Sequence, residues 1–197
     1  MEATSRAIFA SYVRMNVRTS SISLFAVAML SLAAGCTDTK PSNAKFEKSL
    51  NAYFENHNEC LFPSGMRFPD EEKTGPEAAT LRKQLDAMSD IGLLKREDEH
   101  DIQMVKYTLT PLGQRTAPRF CYGHRMVTSI DGYTQPAKQN GFLESTVSYH
   151  YMMMDIPVWA NTDKLKAVFP KMADSISGNA SDKQVMATVG AGWQVPE

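Results

Sequence analysis

Two long runs rich in Tyr, Val, Met, Phe and Thr, residues 119–133 and 142–158, flank the segment Thr134-Gln135-Pro136-Ala137-Lys138-Gln139-Asn140-Gly141. β-Branched and aromatic side chains suit a pleated, half-buried surface, and Pro, Asn and Gly between them supply a turn. The pattern predicts an antiparallel hairpin, with Pro157 ending its second strand. After it, Asn161 is placed to cap a short helix carrying Leu165, Val168 and Phe169, which Pro170 limits. Residues 175–183 read as a loop and 184–193 as a last strand, weakened by Gly190 and Gly192.

The segment ahead of the hairpin has a different rhythm. Residues 44–58 place Phe46, Leu50, Tyr53 and Phe54 on one helical face. Residues 64–74 read as a loop holding Gly65, Pro69 and a charge cluster. Pro76 stands at the first-turn position of a second helix with the stripe Ala78, Leu81, Leu85 and Met88, and Gly92 is its C-terminal cap. Val105, Tyr107 and Leu109 then alternate with Met104, Lys106 and Thr108, a strand with one buried face, before Thr110-Pro111-Leu112-Gly113 turns the chain. The expected class is α+β.

The N-terminus carries an address. Met15-Asn16-Val17-Arg18 is a basic start, followed by the apolar run 22–34, Ile-Ser-Leu-Phe-Ala-Val-Ala-Met-Leu-Ser-Leu-Ala-Ala. Thirteen residues fall short of the roughly 20 a helix needs to cross a bilayer, but match the core of a secretory signal. The run ends in Leu32-Ala33-Ala34-Gly35-Cys36, which resembles the lipobox of bacterial lipoproteins, with Leu one place earlier than the commonest pattern. The resemblance implies removal of residues 1–35 and lipidation of Cys36. Thr37 after the Cys, in place of Asp, implies attachment to the outer membrane, facing the periplasm. A diacyl-modified, N-acylated Cys is a stable anchor. Starting at Met15 leaves 21 residues before Cys36, a usual signal length, so Met15 is the expected initiator. Residues 36–43 form the lipidated Cys and tether, and 44–197 a single domain with halves 44–115 and 116–197.

Losing residues 1–35 removes Arg6, Arg14 and Arg18 against Glu2, leaving 18 basic and 21 acidic residues and no general attraction to polyanions. Residues 77–115 nevertheless resemble the last helix and wing of winged-helix repressors, through Gly92-Leu93-Leu94-Lys95-Arg96-Glu97 and Tyr107-Thr108-Leu109-Thr110-Pro111-Leu112-Gly113-Gln114-Arg115. That resemblance implies a small winged-helix-like unit before the sheet, with Arg82 and Lys83 as DNA contacts. Against DNA binding stand export and the acidic wing tip Glu97-Asp98-Glu99-His100-Asp101, where phosphates would have to be neutralised.

With Cys36 lipidated, Cys60 and Cys121 remain, an even pair that reads as a disulfide after export. The sharper alternative is a catalytic Cys121 with His124. His124 and His150 fall on the two arms of the hairpin as candidate metal ligands, although two ligands are too few for a zinc site. Asp131-Gly132 reads as a turn or bulge, and Tyr151-Met152-Met153-Met154-Asp155 as core or an adaptable apolar surface. No nucleophile elbow, phosphate-cradling Gly loop or zincin helix follows Cys36. The expectation is a lipid-anchored, non-catalytic binding or envelope-structural module without a cofactor. It would meet an envelope protein or a small ligand and no nucleic acid. The other reading is a periplasmic hydrolase or metal-dependent enzyme built on Cys121, His124 and His150, with Asp131 or Asp155 closing the site.

Overall fold

The computed structural model describes residues 39–139, 141–190 and 192–196. The apolar run 22–34, Met15, Cys36 and Thr37 lie outside the described residues. Among the described residues no helix is long and apolar enough to cross a membrane.

Helices and antiparallel strands alternate along the chain. Helix α1, Asn43–Phe54, begins where the Ser42 side chain accepts from the Lys45 N–H, an N-cap. Strands β1, Asn58–Cys60, and β2, Asp70–Lys73, follow, then α2, Ala79–Asp90, after a 3₁₀ turn opened by Pro76. Strands β3, Leu94–Glu99, and β4, Met104–Leu109, form a hairpin, and the short α3, Pro111–Gln114, takes the place expected for a plain turn. The long strands β5, Cys121–Tyr133, and β7, Phe142–Met154, embrace the short β6, Ala137–Gln139. Helices α4, Asp163–Val168, and α5, Pro170–Ser175, lead to β8, Ala180–Val189, and β9, Gly192–Gln194.

The strands make two sheets. One has six strands in the order β1-β5-β7-β8-β9, with β6 also pairing β7; the other is β2-β4-β3. All pairings are antiparallel. The predicted hairpin is present as β5 and β7, but residues 137–139 are strand, paired with Phe142–Glu144, so the turn is tighter than the sequence suggested. Pro170 starts a helix rather than only ending one, as suits proline in a first turn. The strand expected over 184–193 is two, β8, which begins at Ala180 inside the segment read as loop, and β9.

Helix α1 decides the architecture. Its stripe of Phe46, Leu50 and Phe54 is buried on the inner face of the larger sheet. Phe46 lies 5.0 Å, ring to ring, from both Tyr133 of β5 and Trp193 of β9. Those strands stand three places apart in the sheet order, so the sheet curls round the helix to bring both onto one side chain. Asn51 fastens the two together. Its Nδ2 donates to the Val127 carbonyl at 3.3 Å, and its Oδ1 accepts from the Val127 N–H at 2.7 Å. The contact lies beside a bulge between Val127 and Ser129 in the β5–β7 ladder, and it gives the Val127 N–H and carbonyl a side-chain partner.

The winged-helix-like start expected from residues 77–115 is corrected by this arrangement. A helix and hairpin do occur there, but α1 and β1 pack on the large sheet, and α2 packs on β3 and α4. The reason is compositional: the aromatic face of α1 finds its complement in Tyr133, Tyr149 and Trp193, which only the later strands supply. Nor do all the helices precede the sheet, since α4 and α5 lie between β7 and β8. Glu97, Asp98 and Glu99, expected at the wing tip, belong to strand β3; the turn is residues 100–103, with Gln103 in the left-handed region at φ 53°.

Candidate functional site

The sequence-flagged residues separate into distinct places. Cys60 and Cys121 are joined by a disulfide. They face each other across β1 and β5 with Cα atoms 3.7 Å apart, closer than the usual 4.4–6.8 Å. Such a bond is at home in an oxidising compartment. With its sulfur in the bridge, Cys121 has no thiolate to serve as a nucleophile.

His124 and His150 lie on the outward face of the large sheet but do not meet. Register sets His124 opposite Met154 and His150 opposite Ser129. Four residues of β7 separate those rungs, about 13 Å. Each histidine takes its own carboxylate: His150 Nδ1 is 2.8 Å from Asp131 Oδ1, and His124 Nδ1 is 3.4 Å from Asp155 Oδ2. The joint cleft that a hydrolase or metal enzyme would need does not form from these side chains. Among the described residues no three His, Cys, Asp or Glu side chains gather as a metal site.

Arg82, the would-be DNA contact, donates through one Nη to the Lys73 and Gly75 carbonyls at 2.6 and 2.9 Å, fixing the segment that leads into α2. Lys83 is exposed. On β3 the basic residues answer neighbouring acids, Lys95 with Glu97 and Arg96 with Asp98 and Asp86.

The most heavily charged buried place is one that sequence reasoning missed. Arg125 sits in the middle of β5 with its side chain 8% exposed. Gly123, Arg125 and Val127 alternate with His124, Met126 and Thr128, and the first set points inward. Arg125 Nη1 donates to the Tyr149 hydroxyl at 2.9 Å and to Asp182 Oδ2 at 2.7 Å. Its Nε lies 2.7 Å from Glu59 Oε1, but off the N–H direction, so this is an ion-pair contact rather than a well-aligned hydrogen bond. The guanidinium also lies over the Tyr151 ring, 4.5 Å from its centre, and 5.4 Å from that of Phe54. Tyr151 in turn shares a hydrogen bond with Ser175 of α5 at 3.2 Å. Strands β1, β7 and β8 and helix α1 therefore converge on the cation that β5 carries, and α5 joins through Tyr151.

The electrostatics follow from that placement. Burial pushes the Asp182 carboxyl up, but the Arg125 hydrogen bond, the Lys183 backbone N–H and the Arg125 charge outweigh it and hold it below the usual carboxylate range. Burial raises the Tyr149 phenol to about 12 against the opposing pull of Arg125, and that of Tyr122 to about 12 with help from Glu59. Arg125 Nη1 is hydrogen-bonded twice and the guanidinium is ion-paired with Glu59 and Asp182, all within the protein itself, which makes the cluster a clamp. A shallow polar depression of about 140 Å³ lies elsewhere, lined by Thr134, Gln135, Glu144, Thr146 and Val185 among others. It is well below the roughly 300–1,000 Å³ of small-molecule sites.

These features define a disulfide-bonded α/β protein in which helices pack on antiparallel sheets. Comparisons with known protein families, with curated proteins and with solved structures give no match.

Proposed function

We propose that this chain is a membrane-anchored, periplasm-facing lipoprotein that acts as a binding or envelope-structural module without catalysis. The observation that carries the reading is the Cys60–Cys121 bridge, which suits oxidising surroundings, in a chain whose third cysteine sits in Leu32-Ala33-Ala34-Gly35-Cys36. The bridge joins β1, at the exit of α1, to the first residue of β5 and so secures the sheet to its covering helix. Outer-membrane attachment remains the preferred address, on the strength of Thr37. Duplex DNA is not a proposed ligand, because Arg82 is spent on backbone carbonyls and β3 presents acids.

Mass spectrometry of the full chain recovered from the membrane fraction should show an N-terminal, acylated Cys36. Cys36→Ser should abolish acyl incorporation and release the protein from membranes. An intact N-terminus at Met1 or Met15, or cleavage at another residue, would overturn the reading.

A further inference from the structure

We infer that the end of the large sheet bearing Phe142 and Val189 docks on the surface of the phospholipid bilayer that holds the anchor. The inference rests on the lipid-anchor reading above. Its physical basis is how little free chain separates Cys36 from the folded body. Residues 37–43 read as a tether in sequence, but most of that length is held. The Thr39 carbonyl accepts a hydrogen bond from Trp193 Nε1 at 3.1 Å, Ser42 caps α1, and the helix begins at Asn43. Trp193 itself is buried, against Phe46. Only Thr37 and Asp38 lie between Cys36 and that contact. Three residue steps of extended chain span at most about 11 Å. An acylated Cys36 at the bilayer interface therefore keeps Thr39 within about 11 Å of the headgroups, and Trp193 one hydrogen bond beyond it.

That constraint selects one end of the molecule. Strand β7 runs from Phe142 to Met154, a span of about 40 Å. Exposed apolar side chains stand at both ends: Phe142, Val185 and Val189 near one, Ile156 and Val158 past the other. Trp193, which holds the Thr39 carbonyl, pairs with Thr188 at the Val189 end of β8. Glu144 is paired with Ala187, and the Leu143 N–H donates to Thr188 Oγ1 at 3.1 Å. Two residues further on, the same register sets Phe142 across from Val189. The short linker thus turns Phe142 and Val189 toward the lipid and Val158 away from it. Glu144 shares the face of Phe142, about 7 Å behind it, and limits burial to headgroup depth. Lys138, exposed on β6, offers a cation to anionic headgroups at that level. Two or three apolar side chains bind a bilayer weakly alone, but beside an anchor the contact is effectively intramolecular.

The test uses the full acylated chain in vesicles of phosphatidylethanolamine and phosphatidylglycerol. Single Phe142→Cys, Val189→Cys and Val158→Cys variants would be labelled with a fluorescent maleimide. Acylated Cys36 and the bridged pair leave the new thiol as the reactive one, and one label per chain with the bridge intact certifies the fold. Labels at 142 and 189 should be quenched several-fold more by a nitroxide-bearing lipid than by aqueous iodide, with the order reversed at 158. Iodide dominating at 142 and 189, in protein whose acyl mass on Cys36 is verified, overturns docking and leaves the anchor standing. Lipid quenching at 158 alone, or shielding of 142 and 189 only in cross-linkable dimers, also overturns it. A Cys36 without acyl overturns the anchor reading and this inference together.

Discussion

Replacing Arg125 by Met removes the charge at the centre of the curled sheet while keeping most of the apolar stem that packs there. Glu59, only 20% exposed, then loses its counter-ion in a place water reaches poorly. Asp182, 48% exposed, recovers part of its solvation. Tyr149 loses the donor to its hydroxyl, and Tyr151 and Phe54 lose the cation over their rings. Breaking a buried ion pair from one side costs about 3–5 kcal/mol. The Asp182 arm is discounted for solvent screening, which leaves about 3 kcal/mol in all. For a domain of this size that corresponds to a melting point lower by about 6–12 °C. Urea unfolding followed by Trp fluorescence at pH 7 measures the loss, and the denaturant slope should be unchanged. Pairing Arg125→Met with Glu59→Leu should lose less than Arg125→Met alone, because the stranded carboxylate is then gone. The pH dependence has a definite sign. Asp182 titrates below its ordinary range when folded, so its contribution is present above the unfolded carboxylate pKa and is lost as pH falls through the lower folded value. The gap between wild type and Arg125→Met should therefore narrow below about pH 4. If Arg125→Met is as stable as wild type at pH 7, the clamp argument is refuted and the arginine merely fills space.

Other perturbations follow from the same geometry. Cys60→Ser opens a link between residues 61 apart in sequence and should cost about 4 kcal/mol in the chain-entropy model, read as a lower urea midpoint under non-reducing conditions. Asn51→Ala leaves the Val127 N–H and carbonyl at the β5 bulge without their side-chain partner and should cost about 1–3 kcal/mol, with faster amide exchange at Val127. Gly123→Ala should be more disruptive still and lower the yield of folded protein, since φ is 124° there and an added Cβ would lie 2.2 Å from the Met154 carbonyl oxygen. Asp70 is raised to about 6 by burial and by the neighbouring Glu72 and Glu71. Its carboxyl favours the folded state below the ordinary Asp pKa of 3.8 and loses that advantage as pH rises through about 6. Asp70→Asn should therefore raise the melting point at pH 7.5 and give a smaller gain at pH 5.

What was legible in the sequence was the part written in apolar periodicity. The stripe Phe46, Leu50, Phe54 and the alternation Val105, Tyr107 appear as buried faces where the spacing put them, and Gly92 takes the positive φ expected of a helix cap. The long hairpin was legible because two runs rich in Tyr, Val, Met, Phe and Thr flank a segment with Pro, Asn and Gly, and they form β5 and β7. What failed to read was structure carried by the backbone or by charge. Strand β2 is Asp-Glu-Glu-Lys, and its place in a sheet comes from pairing with β4, where Lys106 also approaches Glu71 at 3.7 Å. Arg125 does not stand out in the sequence because a charged residue in a strand belongs to solvent by default. Its signal was positional: it shares the inward parity of Gly123 and Val127, so burying that face buries the arginine and obliges the chain to supply Glu59 and Asp182.

The same internal pairing explains how a segment whose sequence resembles a repressor's helix and wing serves a different fold here. A helix followed by Gly-Leu-Leu and a hairpin is an economical packing unit, since Leu93 and Leu94 enter the core as the chain leaves the helix and Tyr107 returns beneath it. Tyr107 donates to Asp86 on α2 at 2.6 Å, and Arg96 closes on the same carboxylate at 3.2 Å. Thr110 accepts from the Gly113 N–H while its hydroxyl donates to the Gly92 and Leu93 carbonyls, tying the Thr-Pro-Leu-Gly turn to the helix end. Gly113 is required because a Cβ there would lie 2.0 Å from the Leu93 carbonyl oxygen. Leu93, Leu94, Arg96, Tyr107, Thr110 and Gly113 of the shared pattern thus each have an internal role, so the pattern records how helix and hairpin lock together. A DNA-binding role needs more, namely a free basic face, and here Arg82 holds the loop before α2 while α2 packs on β3 and α4. The resemblance lies in the joint between elements, and joints carry no substrate.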